Sequence, residues 1–326
     1  MGDLKREFRV KFRGVRGSYP VCSSDQIKYG GNTSCVEVNI NGKLIVIDSG
    51  TGVINLGSDL VKDYIASGTS SENRKPIEVV LLFSHSHLDH IQGFPFFKPA
   101  YIKSSNIFMF GFRPRNKDFE QVLAETIFDP IFPIELKEMS AKISINNLHE
   151  TQAIIIHPDK SAPELIRVND ESELNVPDDV ILIKCSKSYA HPKDGVLMFR
   201  ISCNGKSLVY ASDKESYIGG DSKFTTFARN TDLLIHDAQY TTEDYISPII
   251  PKQGYGHSTP DMAIEAAKLA NVKNLALFHL DPNYNDDFLE KMETRAKGMF
   301  QNLVMAYEGM EIDLMQITQL SKAFNK

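Results

Sequence analysis

Within six consecutive residues, His85, His87, Asp89 and His90 place three imidazoles and a carboxylate directly after the apolar run Leu81–Phe83. Nine histidines are spread over 326 residues, so three at fixed positions arise by chance in fewer than about one such chain in a hundred. Asp89 makes the coincidence rarer, and a chemical reason is needed. At an extended strand end alternate side chains share a side, so His85 and His87 project together, while Asp89 and His90 fall in the following turn and aim at an adjacent position. Two neighbouring metal positions follow. Neutral imidazole with carboxylate suits zinc, manganese or iron, and two such ions about 3.5 to 4 Å apart can share a hydroxide that attacks an electrophile. The chemistry on offer is hydrolysis; a histidine-rich surface loop is the bland alternative.

The surrounding sequence supplies the elements that must hold these groups. Strands are expected at Phe8–Gly14, Cys35–Ile40 and Lys43–Gly50, the last two joined at Asn41 and Gly42, a two-residue hairpin signal. Val53, Leu56, Leu60, Val61 and Tyr64 recur at helical spacing, and Ile77–Phe83 is apolar without alternation, which predicts a strand buried on both faces. That strand delivers the histidine cluster. The second half repeats the pattern, with strands Val196–Ser202 and Lys206–Asp213 flanking Asn204 and Gly205, then strand Asp232–Ala238. A helix from Pro260 to Val272 runs into strand Asn274–Pro282, and a helix at Asp286–Phe300 precedes a last strand, Leu303–Gly309. No low-complexity linker interrupts the chain. A single domain over 1–326 is expected, with the less regular segment 99–188 inserted as a cap over the site.

Composition narrows the partners. The chain is long enough, and at 42% hydrophobic residues apolar enough, to bury a large core. A net charge of −6 gives no global basic field, which leans against polyanion binding while leaving a local patch open. Four cysteines, Cys22, Cys35, Cys185 and Cys203, form no CxxC pair, as expected of reduced thiols in a cytosol. No apolar signal core opens the sequence and no run approaches a membrane span. A soluble cytoplasmic protein without a membrane partner is expected; a homodimer is left open.

The stretch HSHLDH, residues 85–90, resembles the HxHxDH signature of the metallo-β-lactamase superfamily. YGGNTSCVEV and LIVIDSGTG before it, and VYASD and LFHLDP after it, are also similar to that superfamily and stand in its order, so the resemblance covers almost the whole chain. It implies an α/β (α+β) fold, a four-layer αββα sandwich built from two similar halves. The branch the chain is most similar to holds phosphodiesterases: the tRNA 3′-processing endonuclease RNase Z, cyclic-nucleotide phosphodiesterases and the cyclic phosphodiesterase of phosphonate breakdown.

Carried over position by position, the resemblance implies two divalent ions, zinc first with manganese or iron as alternatives. His85 and His87 would hold the first ion, Asp89 and His90 the second. Asp213 matches the bridging aspartate, and a carboxylate closing an apolar strand is costly to bury without a partner. His279 matches the last ligand of the second ion. The third histidine of the first is sought among His149, His157 and His191. His191, one hairpin ahead of Asp213, is preferred, and His157 stays as the alternative. Asp48 matches an aspartate that orients the cluster, but also suits a strand-end turn. Asn32, in the Gly30–Gly31–Asn32 loop, would hydrogen-bond substrate or a ligand aspartate, or else cap the next strand.

A proton donor would help an alkoxide leave a phosphodiester. His257 in GYGHSTPD matches the histidine that approaches the scissile phosphate in the phosphodiesterase branch, and Asp237 in LLIHDAQYT matches its acidic partner. A carboxylate neighbour keeps a histidine protonated. His236 points the other way along its strand and reads as structural. β-Lactamases and thioester hydrolases of the superfamily need no such histidine, and the glutamate and flavin domain of flavodiiron proteins are missing, so a phosphodiester is favoured over redox chemistry. Bacterial RNase Z carries a Gly-rich arm between its third histidine and bridging aspartate, for which the stretch from His191 to Asp213 is too short. A small cyclic or nucleotide phosphodiester is therefore expected ahead of an RNase Z-like nuclease on RNA or DNA ends, with a non-catalytic metal-binding sensor as a third reading. Lys98, Lys103, Arg113, Arg115 and Lys117, near Phe108, Phe110 and Phe112, would grip a phosphate or base, or simply form a solvated face.

Overall fold

The computed structural model describes residues 6–114, 117–168, 176–217 and 219–320. β1 (Phe8–Gly14), β2 (Cys35–Ile40) and β3 (Lys43–Ile47) form an antiparallel meander. Asn41 and Gly42 both take positive φ at its tight turn, as a two-residue hairpin requires. α1 (Gly52–Ala66) crosses to β4 (Glu78–Phe83), which lies parallel to β3 and runs into the one-turn helix α2 (Leu88–Ile91). β5 (Asn106–Phe112), α3 (Phe119–Ala124) and β6 (Lys142–Leu148) continue the parallel part of this sheet.

The chain then moves to the second sheet. β7 (Gln152–Ile156), β8 (Glu164–Arg167), β9 (Ile181–Ser188), β10 (Val196–Cys203) and β11 (Lys206–Ala211) pair antiparallel. α4 (Ser222–Ala228), β12 (Leu233–Asp237), α5 (Thr242–Tyr245), α6 (Pro260–Leu269), β13 (Leu275–Phe278), α7 (Asp286–Met299) and β14 (Leu303–Met305) add parallel strands with their crossover helices. β15 (Glu311–Asp313) returns to the first sheet beside β1. The sheet orders are β15-β1-β2-β3-β4-β5-β6 and β14-β13-β12-β11-β10-β9-β7-β8. Each joins an antiparallel part to a parallel part, the two similar halves the αββα sandwich implies.

Burial follows the sequence pattern. On β4, Val80 and Leu82 enter the core between the sheets, while Val79, Leu81 and Phe83 face Val53, Leu56, Phe94 and Phe97 on the outer side. A strand covered on both faces has no polar alternation. The inter-sheet core continues through Phe199, Ile201 and Leu208 to the outer helices at Phe224, Ile264 and Leu289.

Three differences from the expected elements stand out. Segment 99–188 is no cap: it supplies β5 to β9 and widens both sheets, and its helical part packs Phe119, Leu123, Ile127 and Leu136 onto the outer side of the first sheet. Its strands include edge strands with half-buried, mixed sequences, such as β6 and β8, which carry a weak period-two signal. The strands expected to run through Asp48, Asp213 and His279 stop short of them, because these residues take φ of 61°, 53° and 62°. The three-residue β15 carries too little pattern to have been expected.

Candidate metal centre

Everything chemical gathers at the carboxyl ends of the parallel strands, the usual ligand side of such sheets. Asp48 follows β3, His85 follows β4, Asp213 follows β11, Asp237 ends β12 and His279 follows β13. The left-handed backbone of Asp48, Asp213 and His279 turns their side chains into the gap between the sheets; aspartate and histidine tolerate that region better than most residues.

Three groups of four close around Asp213; one joins it to Asp237, His257 and His279, and the other two are built from the expected metal ligands. His85, His87, His191 and Asp213 form the first, and Asp89, His90, Asp213 and His279 the second, with the offered ligand atoms of each within 4.8 Å of one another. Asp213 is shared: its Oδ2 lies 3.6 Å from His85 Nε2 and 4.0 Å from His191 Nε2, and its Oδ1 lies 3.1 Å from His90 Nε2 and 3.2 Å from His279 Nε2. Asp89 Oδ2 is 3.3 Å from His90 Nε2 and 3.1 Å from His279 Nε2. Except for His87, which faces solvent, the ligand candidates are buried.

The outward ring nitrogens are held in turn. His85 Nδ1 meets Ser84 Oγ at 3.1 Å, His90 Nδ1 donates to Asp48 at 2.8 Å, His279 Nδ1 to Gln239 Oε1 at 3.0 Å, and His191 Nδ1 lies 3.4 Å from the Gly256 carbonyl. An imidazole whose far nitrogen is so tied presents its inner nitrogen as a lone pair. Burial works in the same direction: it holds the imidazolium forms of His85 and His191 down, His191 to about 4. Around His90, burial also disfavours the charged form, but Asp213, Asp89 and Asp48 outweigh it and raise the pKa well above the usual value.

Asp48 is a hub. Its carboxylate accepts from the Ser84 amide and hydroxyl, from His90 and from the buried Tyr210 hydroxyl. On the far side His257 Nδ1 lies 2.8 Å from Asp237 Oδ2, and the other Asp237 oxygen accepts from the amides of Ser258 and Gln239. The His257 ring stacks on that of His279 at 5.0 Å. Burial lowers the His257 pKa, but Asp237, with help from Asp213 and Asp89, overcomes this and lifts it to about 9. Gly256 is required: its φ is 92°, and a Cβ there would sit 2.2 Å from His191 Nδ1.

Other candidates fall elsewhere. His157 lies on the β7–β8 side, 3.7 Å from Glu164, and the His149 amide donates to Gln152. His236 is buried between Ser216 and its own neighbour's carbonyl. Asn32, expected to face substrate or a ligand aspartate, gives its amide to Glu308 instead, because the Gly30–Gly31 turn aims it at the loop after β14. Of the basic run, Arg113 pairs with Asp118 and Lys117 with Glu125, Lys98 and Lys103 are exposed, and Arg115 lies outside the described residues. Sequence reasoning missed Ser18, whose amide donates to Asp89 at 2.8 Å, and Gln239, which joins Ser18 to His279. It also missed Glu215, described below. No local pattern marks Ser18 or Glu215; Gln239 had one signal, its alternate-residue spacing from Asp237.

A family model described as a beta-lactamase superfamily domain matches residues 44–280, most of the chain and nearly all of this centre. The chain belongs to the beta-lactamase superfamily. Within it the chain stands with the ribonuclease Z and phosphodiesterase branch, and it is a metal-dependent hydrolase. It is similar to the ribonuclease Z of Picrophilus torridus, 26% identical over 97% of this chain and 98% of that one. Among solved structures, the metallo-beta-lactamase fold protein YhfI of Bacillus subtilis superposes with a TM-score of 0.61 at 19% identity, covering 95% of this chain and 100% of that one. Human tRNase Z, short form, superposes at 0.58, also at 19% identity, covering 94% and 99%. The fold is thereby that of the metallo-β-lactamases. The described cysteines are all free, and no helix among the described residues is long and apolar enough to cross a membrane.

Proposed function

We propose that this chain is a phosphodiesterase that uses two divalent metal ions and acts on RNA. The observation that carries phosphodiester chemistry is the His257–Asp237 pair beside the two ligand groups. What favours RNA is the end-to-end similarity to a protein named ribonuclease Z. That similarity reverses the order expected from the short His191–Asp213 stretch, which put a small cyclic or nucleotide diester first.

The residues fit a metal pair. His85 Nε2 is buried without a hydrogen-bond partner, which is costly for a ring nitrogen unless an ion takes the lone pair. Among the described residues, the ion partners of Asp89 and Asp213 are histidines alone, so their buried charge also asks for a cation. His85, His87, His191 and Asp213 would hold one ion, and Asp89, His90, His279 and Asp213 the other; the donor set of imidazole and carboxylate suits zinc first, then manganese or iron. Such ions supply Lewis-acid charge and a water acidic enough to be hydroxide near neutral pH.

The chain's own groups do the rest. Asp237 holds Nδ1 of His257, which leaves Nε2 as the proton-bearing atom on the substrate side. As the bond between phosphorus and the leaving oxygen breaks, His257 Nε2 gives that oxygen its proton. The paired carboxylate keeps the imidazole charged beforehand. Asp48 and Gln239 fix the ring orientations of His90 and His279.

The test is turnover of a short RNA and of bis(p-nitrophenyl) phosphate by metal-loaded protein, with Asp89→Ala and His257→Ala alongside. Cleavage of both substrates, lost without Asp89, is expected. Cleavage of the simple diester alone would return the small-diester reading to first place. Two bound ions with neither substrate turned over would point to the sensor reading.

A further inference from the structure

Four of the twelve tyrosines are exposed, and all four stand on loops that build the centre. Tyr19, Tyr189, Tyr217 and Tyr255 show 49%, 75%, 55% and 49% of their surface, while the others are buried or half-buried. Tyr19 follows Ser18, the residue that holds Asp89. Tyr189 lies two residues before His191. Tyr217 follows Ser216, which is tied to Ser258 and His236. Tyr255 sits between Gly254 and Gly256, two residues before His257. Single exposed apolar residues need no explanation, but four of one residue type on the loops that carry site residues do.

Two of these rings carry a lysine. The Lys252 ammonium lies 5.3 Å from the Tyr255 centroid and 5.4 Å from that of Tyr240, whose ring stands edge-on to His257 at 5.8 Å. The Lys187 ammonium lies 4.8 Å from the Tyr189 centroid and 3.7 Å from that of Phe112. An aromatic face beside a cation is what a nucleotide meets in single-strand binders: the ring stacks the base and the cation draws the phosphate. The backbone under Tyr255 is also fixed. The Glu215 carboxylate accepts from the amides of Gly254 and Gly256 and from the Tyr245 hydroxyl.

Resting on the RNA reading given above, we propose that the four tyrosines, with Lys252 and Lys187, form a stacking rim for the unpaired nucleotides flanking the scissile phosphodiester. Tyr255 and Lys252, on the His257 side, take the nucleotide that leaves. Single-stranded RNA is then the preferred substrate form, because a base paired in a duplex has no free face to offer.

The experiment measures kcat and KM on a short single-stranded RNA and on the same RNA annealed to its complement. Metal-loaded wild type is compared with Tyr255→Ala, Tyr189→Ala, Tyr255→Phe and Lys252→Met. Each alanine variant should raise KM for the single strand by about tenfold, the size of one base–aromatic stack, with kcat nearly kept. Tyr255→Phe, which retains the ring, should restore KM, and the duplex should be the poorer substrate. Alanine variants with the wild-type KM, a phenylalanine variant as impaired as the alanine one, or equal use of single strand and duplex would each overturn the rim. If wild type cleaves bis(p-nitrophenyl) phosphate but neither RNA, the RNA reading itself falls and takes the rim with it.

Discussion

The first sheet delivers its metal-facing side chains from one local stretch, His85 to His90, which runs from the end of β4 into the one-turn helix α2, whereas the second delivers them singly, from the β9–β10 turn, the end of β11 and the end of β13. In the first half four residues are placed by one local backbone path, so the geometry survives wherever that stretch forms. In the second, His191, Asp213 and His279 meet only because β9 to β13 keep their register. Both halves bend strand ends into the left-handed region to do so, at roughly 1 to 3 kcal/mol per residue. Asp48 offsets its share with four hydrogen bonds, and Asp213 by facing four imidazoles.

Asp213→Ala is the sharpest way to break this comparison. Both ligand groups share that carboxylate, so bound metal should fall from two ions per chain toward none. Turnover of bis(p-nitrophenyl) phosphate should fall by about a thousandfold or more, as removal of several kcal/mol of ion-centred stabilisation implies. His87→Ala, in the solvent-facing position of the first group, should release one ion and leave the other. Elemental analysis of the two variants decides it: equal metal content in both would show that the halves do not meet at Asp213.

His257→Ala tests whether the second half adds an acid rather than another ligand. On RNA, whose leaving alkoxide is basic, kcat should fall by about 10² to 10⁴. On bis(p-nitrophenyl) phosphate, whose leaving phenolate needs no proton, the loss should be much smaller, with metal content unchanged. Equal losses on the two substrates would assign His257 a binding role instead.

The same contrast explains what could be read from the sequence. The His85–His90 cluster was legible by itself, because its chemistry is contained in one local stretch. His191, Asp213, Asp237, His257 and His279 became visible only through resemblance to a family, since each sits alone in an otherwise ordinary strand end or loop. Ser18 was not legible, and Gln239 carried only its alternate-residue spacing from Asp237: the Ser18 contact to Asp89 spans 71 positions and that of Gln239 to Ser18 spans 221. Asn32 misled for the same reason, its true partner Glu308 lying 276 positions away. Segment 99–188 reads as irregular in the sequence because half-exposed edge strands such as β8 lack the apolar signature of β4.

Asp48→Ala would probe the hub of the first half. Four donors would lose their acceptor: the Ser84 amide and hydroxyl, His90 and Tyr210. Each buried unsatisfied group costs about 1 to 3 kcal/mol, so urea denaturation of metal-free protein should show a loss of about 3 kcal/mol or more. Affinity for the second ion should drop about 10- to 100-fold, as for removal of other groups that orient a metal-bound histidine. An unchanged denaturation midpoint would mean that water or a shifted neighbour satisfies these four donors once the carboxylate is gone.

Glu215→Gln asks the corresponding question of the second half, where the smallest effect is expected. Glu215 touches no ligand candidate; it fixes Gly254 and Gly256 and so the loop that presents His257. Glutamine keeps one acceptor oxygen but turns an NH2 group toward a backbone donor, which loosens the loop without emptying the site. Metal content should stay at the wild-type level, and kcat on RNA should fall by about three- to tenfold, the cost of about one weakened hydrogen bond. Turnover of bis(p-nitrophenyl) phosphate should hardly move, because that leaving group does not need His257. This substrate dependence separates a positioning role from simple destabilisation, which would lower both rates together. It would also place the difference between the halves in their loops: the first half holds ions from one local stretch, and the second aims a proton from a loop pinned by one carboxylate.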